Sequence, residues 1–239
     1  MSSQPPPQSN SDSQTLIANP WHTLFAVIAV ALYAYRAIGN AAQARAILLP
    51  NRPHLYFRTI LTELVFLAIV AFGVRLHGTS LQSIFGQRWR SAGQMFLDLG
   101  IGISLLFVSN ILVAVVTVIE HDRSTIETIQ FLLPQTPLEF FLWVLLSIVA
   151  GICEEAIYRG YFQRQFAALA HSVPAGILLS AAAFGAVHAY QGWRRALAIA
   201  IMAALFGLVA QWRKTVRPGM IAHALQDSLA PLLVKLIRH

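Results

Sequence analysis

The chain has 239 residues, 56% of them hydrophobic and only 11% charged, against about 25% charged in an ordinary soluble domain. Its net charge of +7 comes from 15 Arg and 2 Lys against 10 acids. Most of these cations flank apolar runs and do not gather in one basic patch, which sets nucleic-acid binding aside in favour of anchoring at a lipid interface.

A single cysteine, Cys153, excludes an intrachain disulfide and a cysteine-based zinc cluster. Residues 1–19 are rich in Ser, Gln and Pro and hold no Lys or Arg. A cleaved secretory signal needs a basic start, so this stretch reads as a disordered tail ahead of an uncleaved span.

Apolar segments then recur at roughly 20–38, 56–76, 93–118, 136–168, 174–190, 193–212 and 217–236, each close to the ~17–25 residues that a bilayer needs. The third and fourth are longer than required and are expected to tilt or to run into the interface. Residues 41–49 suggest a short interfacial helix or part of an eighth span. The linker 120–136, punctuated by Pro134 and Pro137, is the most polar internal stretch. Runs of this length do not suit the alternating strands of a barrel. The expected fold is an all-α, polytopic transmembrane helix bundle of about seven spans (six to eight) enclosing an intramembrane cavity. It forms one membrane domain, with N-terminal membrane helices over 20–135 and the chemistry-bearing helices over 136–239. Lys and Arg divide almost evenly between the two sides, so charge does not fix the orientation.

Acids within apolar spans are expensive and mark function or a buried partner. Glu63, Asp98, Glu154, Glu155 and Asp227 fall in such spans. Glu154 and Glu155 sit side by side in a greasy run, with Arg159 following. Glu155 and Arg159 are at i,i+4 with the acid N-terminal, the better order for a helical ion pair. Glu154 lies about 100° further round the helix and is left to face a cavity, where a desolvated carboxylate suits general-base work. A second element, Phe184-Gly-Ala-Val-His188, closes the fifth span. A third, His223-Ala-Leu-Gln-Asp227, places an imidazole and a carboxylate on one face of the seventh, as two metal ligands or as a carboxylate orienting an imidazole. Each element alone has an ordinary structural explanation: an ion-pair knot, a hydrogen-bonded interfacial histidine, a helix-stabilising pair. Taken together, three apolar helices each bring an acid or an imidazole to membrane depth, where each needs a partner. Convergence on one hydrolytic site is the economical reading.

The order Glu-Glu-x-x-x-Arg, Phe-x-x-x-His and His-x-x-x-Asn/Asp over successive membrane helices resembles the CAAX-prenyl-endopeptidase and bacteriocin-processing (CPBP) family of intramembrane proteases, also called abortive-infection-like proteases. The resemblance covers roughly residues 138–233; residues 1–135 carry no part of it. It implies a conical helical bundle whose wide cavity opens to lipid and to one aqueous face. It also implies catalytic roles for Glu154, Glu155, Arg159, His188, His223 and Asp227. Glu154 activates the hydrolytic water, Glu155 and Arg159 support it, and His188 binds water or a metal. His223 and Asp227 complete the site as ligands or as oxyanion-stabilising groups. The family pattern often has Asn where this chain has Asp227. A carboxylate accepts hydrogen bonds and does not donate them unless protonated, so Asp227 favours a ligand or His-orienting role. Zinc is one cofactor the resemblance allows, held by Glu154, His188, His223 and Asp227; a glutamate-activated water without metal is the other route. The expected partners are membrane lipid and a membrane-associated protein or peptide, lipidated or not. The expected location is the inner cell membrane, crossed several times.

Two other functions fit the same residues: a non-catalytic membrane scaffold that sequesters partner proteins, and a small ion-coupled carrier. The carrier predicts inverted repeats, and the sequence shows none. Cys153 beside two carboxylates is a poor nucleophile. Tyr158, at i+4 from Glu154, is in place to hydrogen-bond it. Glu63 and Asp98 lie outside the motifs and read as arginine-paired or interfacial acids. Trp193 with Arg194 and Arg195 reads as an interfacial anchor.

Overall fold

The computed structural model describes residues 15–44, 51–120 and 132–237. Among them all regular structure is helical, which gives the expected all-α bundle. The helices are α1 (Pro20–Ala44), α2 (Arg52–Leu76), a single turn α3 (Gln82–Phe85), α4 (Ala92–Glu120), α5 (Pro137–Leu169), α6 (Val173–Val187), α7 (Trp193–Arg213) and α8 (Arg217–Ile237). All seven expected spans are helices. Five of them, in α1, α2, α4, α5 and α7, are long and apolar enough to cross a membrane, and the chain is a multi-pass membrane protein. The two others fall short for separate reasons. α6 has only 15 residues, and α8 carries His223, Gln226, Asp227 and Lys235 along its length. The expected interfacial helix at 41–49 is in part the end of α1; the rest of it, like most of the linker 120–136, lies outside the described residues.

Local signals set the starts. Asn51 caps α2 by accepting from the His54 N–H at 3.1 Å, with Pro53 in the first turn. Thr136 caps α5 by accepting from the Glu139 N–H at 3.2 Å, and the Glu139 carboxylate accepts from the Gln135 N–H, one residue before the cap, at 2.6 Å. Ser172 does the same for α6 at Ala175, with Pro174 following.

α5 is the central helix. α2 and α8 pack along its N-terminal part and α6 along its C-terminal part; α4 packs on α8 and α7 on α6. In lipid an exposed apolar side chain costs nothing, and large rings such as Phe57, Phe72, Phe107 and Phe141 face outward. Helices then associate through close approach of small residues. At Gly151 an added Cβ would meet the Ala224 backbone at 2.8 Å, so only glycine lets α5 and α8 come this near. Trp193 is exposed, with the Arg194 guanidinium 5.3 Å from its ring centroid, the arrangement expected of an interfacial anchor.

The expected disordered tail needs correction at its end. Residues 1–14 lie outside the described residues, but Ile17 and Ala18 are buried. The buried Gln165 carboxamide fixes them. Its Oε1 accepts from the N–H groups of Ile17 (2.7 Å) and Ala18 (3.3 Å), and its Nε2 donates to the Ala18 carbonyl (3.0 Å) and the Thr23 hydroxyl (2.6 Å). A polar segment next to a bilayer stays ordered when its backbone groups find partners of this kind.

Asp98 is a second tie. It is buried on α4, accepts from Arg213 at 2.7 and 3.1 Å and from the Trp89 indole at 2.8 Å, and is the arginine-paired acid expected from the sequence. Asp98→Asn keeps the shape but removes the charge that two donors address. It is expected to lower stability by about 1.5–3 kcal/mol, the range for hydrogen bonds to a charged group, read as a drop in thermal unfolding of the detergent-solubilised protein. An unchanged transition would show that the pair adds nothing.

Candidate active site

The α-helical part of α5 ends in Cys153-Glu154-Glu155 and passes directly into a π-helical stretch, Ala156–Phe162, all of it buried. A π-helical turn carries an extra residue and rotates the helix face beyond it, a device found mostly at functional sites. Glu155 and Arg159 meet here as expected: Nη1 lies 2.9 Å from Oε1, with both side chains almost wholly buried. The contact is ionic in distance, but the guanidinium N–H vectors are not aimed along it. The guanidinium lies over the Phe184 ring at 4.4 Å and faces Phe206 at 5.5 Å, so two ring faces share the cation with one carboxylate.

α8 brings His223 against this pair. Its Nδ1 lies 3.4 Å from Glu155 Oε1, and its Nε2 lies 3.6 Å from Glu154 Oε2 and 3.5 Å from Asp227 Oδ2. Both ring nitrogens thus face carboxylate oxygens, and the ring is placed to donate on both sides. Asp227 sits at the rim, with its side chain 41% exposed, and its backbone carbonyl accepts from the Trp143 indole at 2.8 Å. Gly219 makes room for the cluster: a Cβ there would lie 2.6 Å from Glu155 Oε2.

α6 supplies the third element. His188 Nδ1 lies 2.9 Å from the Phe184 carbonyl, which fixes that nitrogen as the donor and turns Nε2 away from the backbone. Phe184 explains the Phe-x-x-x-His spacing. Its buried ring packs against His188 (centroids 4.7 Å apart) and edge-on to His223 (6.0 Å), so both imidazoles flank one phenyl ring.

A cavity of ≈ 110 Å³ opens beside Glu154, several times the space a water needs. Glu154, Ile157 and Tyr158 of α5 line it, with Val187, His188 and Tyr190 at the end of α6. The remaining wall comes from Val30 and Tyr33 of α1 and from Thr59, Glu63 and Phe66 of α2. Glu154 Oε2 is buried without a hydrogen-bond partner. The expected convergence is therefore present: Glu154 and His188 share a cavity, and His223, Asp227, Glu155 and Arg159 stand behind Glu154. Tyr158 shares the wall with Glu154, its own carbonyl taken by the Ser180 hydroxyl at 2.6 Å. Cys153 is buried and does not line the cavity.

Sequence reasoning missed the contribution of α1 and α2. Glu63 was visible as an acid in an apolar run, but its place on the cavity wall that Glu154 also lines was not. Tyr33 and Phe66, ring centroids 5.6 Å apart, carried no signal in their own segments. As to metal, among the described residues no group of three or more His, Cys, Asp and Glu side chains is arranged to hold an ion. Of the four expected ligands, Glu154 and Asp227 face His223 Nε2 at 3.6 and 3.5 Å, while His188 stands on the other side of the Phe184 ring.

Residues 136–229 match the family model described as type II CAAX prenyl endopeptidase, Rce1-like. No curated protein and no solved structure matches the chain. The match begins at the Thr136 cap of α5 and ends two residues beyond Asp227, so it contains every side chain singled out by the three motifs and nothing of α1 or α2. Over residues 136–229 this membrane protein is thus similar to the Rce1-like type II CAAX prenyl endopeptidases.

Proposed function

We propose that the chain is an intramembrane endopeptidase of the inner cell membrane, hydrolysing peptide bonds of membrane-associated substrates, lipidated chain ends among them. The observation that carries the proposal is Glu154: a carboxylate lining a cavity with room for water, which His188 also lines, and whose buried Oε2 makes no hydrogen bond and has the His223 Nε2 3.6 Å away.

Glu154 takes a proton from a water in the cavity as the water oxygen bonds to the scissile carbonyl carbon. His188, its Nδ1 donating to the Phe184 carbonyl, has Nε2 left to accept a hydrogen bond from the attacking water and so orient it. His223 keeps Glu154 in place from the other side, with Asp227 and Glu155 accepting from it. Glu154 then passes its proton to the leaving amine, the C–N bond breaks, and a carboxylate and an amine leave. Asp227 is an acceptor at the rim, so its role is to orient His223 and not to donate to the oxyanion. These steps run on side chains alone.

The test is cleavage of a membrane-peptide library by purified wild type, Glu154→Gln and His188→Ala. His188→Ala is expected to slow turnover about a hundredfold, the usual cost of a reacting group misplaced by ~1 Å. Cleavage unaffected by both substitutions removes the mechanism. Because the carboxylates already address His223, a strong chelator is expected to leave turnover unchanged. Stoichiometric zinc on the purified protein, with activity lost on chelation and regained on zinc addition, would replace the metal-free route with a metal-bound one.

A further inference from the structure

We propose that Glu63, on α2 and outside the matched domain, is a positioning residue that holds the Glu154 carboxylate by a hydrogen bond. The proposal rests on the hydrolytic reading of Glu154.

Glu63 is buried in the middle of an apolar helix whose other buried side chains are Tyr56, Val70 and Val74. An acid at that depth needs a partner. The two other buried acids away from the motifs have conventional ones: Asp98 has Arg213 and Trp89, and Glu139 has the Gln135 N–H with Arg52 at 4.0 Å. Among the described residues Glu63 has no ion pair with Arg or Lys. It turns into the cavity, whose wall it shares with Glu154. A hydrogen bond between two carboxyl groups requires one of them to donate an O–H. With Glu63 donating, Glu154 stays an acceptor, its rotamer fixed between Glu63 and His223, whose Nε2 lies 3.6 Å from Glu154 Oε2. The same bond ties α2 to the helix carrying the base, so that a helix outside the recognisable domain sets the aim of the catalytic group. α2 packs along α5, which makes this support rigid.

The experiment compares wild type, Glu154→Gln, Glu63→Leu and Glu63→Gln in the full-length detergent-purified protein, on the peptide the wild type cleaves best. Leu keeps the bulk and suits an apolar helix but cannot hold Glu154. Gln keeps a donor. Glu63→Leu is expected to lower kcat about a hundredfold with KM unchanged, the cost of a reacting group misplaced by ~1 Å. Glu63→Gln is expected to recover most of that turnover. Thermal unfolding of Glu63→Gln, Glu154→Gln and the double variant gives a second, activity-independent readout, expected to be non-additive for groups in contact. If Glu154→Gln still cleaves, the hydrolytic reading fails, whatever Glu63 does. If Glu154→Gln is inactive but Glu63→Leu turns over like wild type, or Glu63→Gln falls as far as Glu63→Leu, or the unfolding shifts add, the assignment of Glu63 alone is overturned.

Discussion

Glu154→Gln is expected to lower the rate of peptide cleavage by about 10²- to 10⁴-fold, the contribution of a positioned general base, while leaving the folded protein at least as stable as wild type. The two halves of this expectation come from one arrangement. The amide of Gln cannot take the proton that attack by water releases, so turnover falls even though the side chain keeps its length. Stability does not fall, because Glu154 is one of three carboxylates gathered around a single imidazole. Glu154, Glu155 and Asp227 lie 3.6, 3.4 and 3.5 Å from His223. Like charges this close oppose folding, and removing one relieves that opposition. Kinetics on the cleaved peptide and thermal unfolding of the same preparation check both. A variant that cleaves normally removes the base, and one that unfolds far below wild type would show that Glu154 is a structural acid.

What the sequence disclosed was chiefly what charge in lipid makes conspicuous. Glu154, Glu155 and Arg159 stand out because a bilayer penalises them, and the spacing of Glu155 and Arg159 already specified their 2.9 Å contact. The helix over 136–168 was equally visible, since Pro134 and Pro137 end the polar linker before it and the apolar run marks its course. The convergence of His188 and His223 was readable only by elimination; its physical agent, the Phe184 ring between them, looks in sequence like any buried phenylalanine. The π-helical stretch Ala156–Phe162 has no signal, because it depends on how α6 and α3 pack against it and not on its own composition. Glu63 was conspicuous for the same reason as Glu154, but pairing depends on which helices touch, and contact between α2 and α5, far apart along the chain, is not written in either segment. The ordered end of the N-terminal stretch was missed for a similar reason: Gln165, which pins Ile17 and Ala18, lies on α5, and a polar, proline-rich composition suggests disorder when no distant carboxamide is in view.

Arg159→Leu is expected to cost about 3–5 kcal/mol of stability, the penalty for leaving one member of a buried ion pair without the other. Glu155 is 1% exposed, and its remaining neighbour is an imidazole whose second nitrogen already serves Glu154 and Asp227. It has no room to swing toward water, since the Gly219 backbone closes the space beside Oε2 so tightly that even a Cβ would lie 2.6 Å away. The guanidinium also contributes its contacts over Phe184 and Phe206, and Phe184 is the ring that holds both histidines apart. Loss of Arg159 therefore loosens the same ring on which His188 and His223 rest, and activity falls together with stability. The double replacement Glu155→Leu, Arg159→Leu separates the causes. With the stranded carboxylate gone, most of the lost stability is expected to return, as apolar substitutes for buried ion pairs commonly achieve, whereas turnover does not, because His223 has lost the Glu155 oxygen at its Nδ1. Thermal unfolding and cleavage rates of the two singles and the double decide it. A single Arg159→Leu within about 0.5 kcal/mol of wild type, the scatter of ordinary surface substitutions, or a double variant as unstable as the sum of the singles, would show that the pair neither stabilises the buried end of α5 nor supports the base beside it.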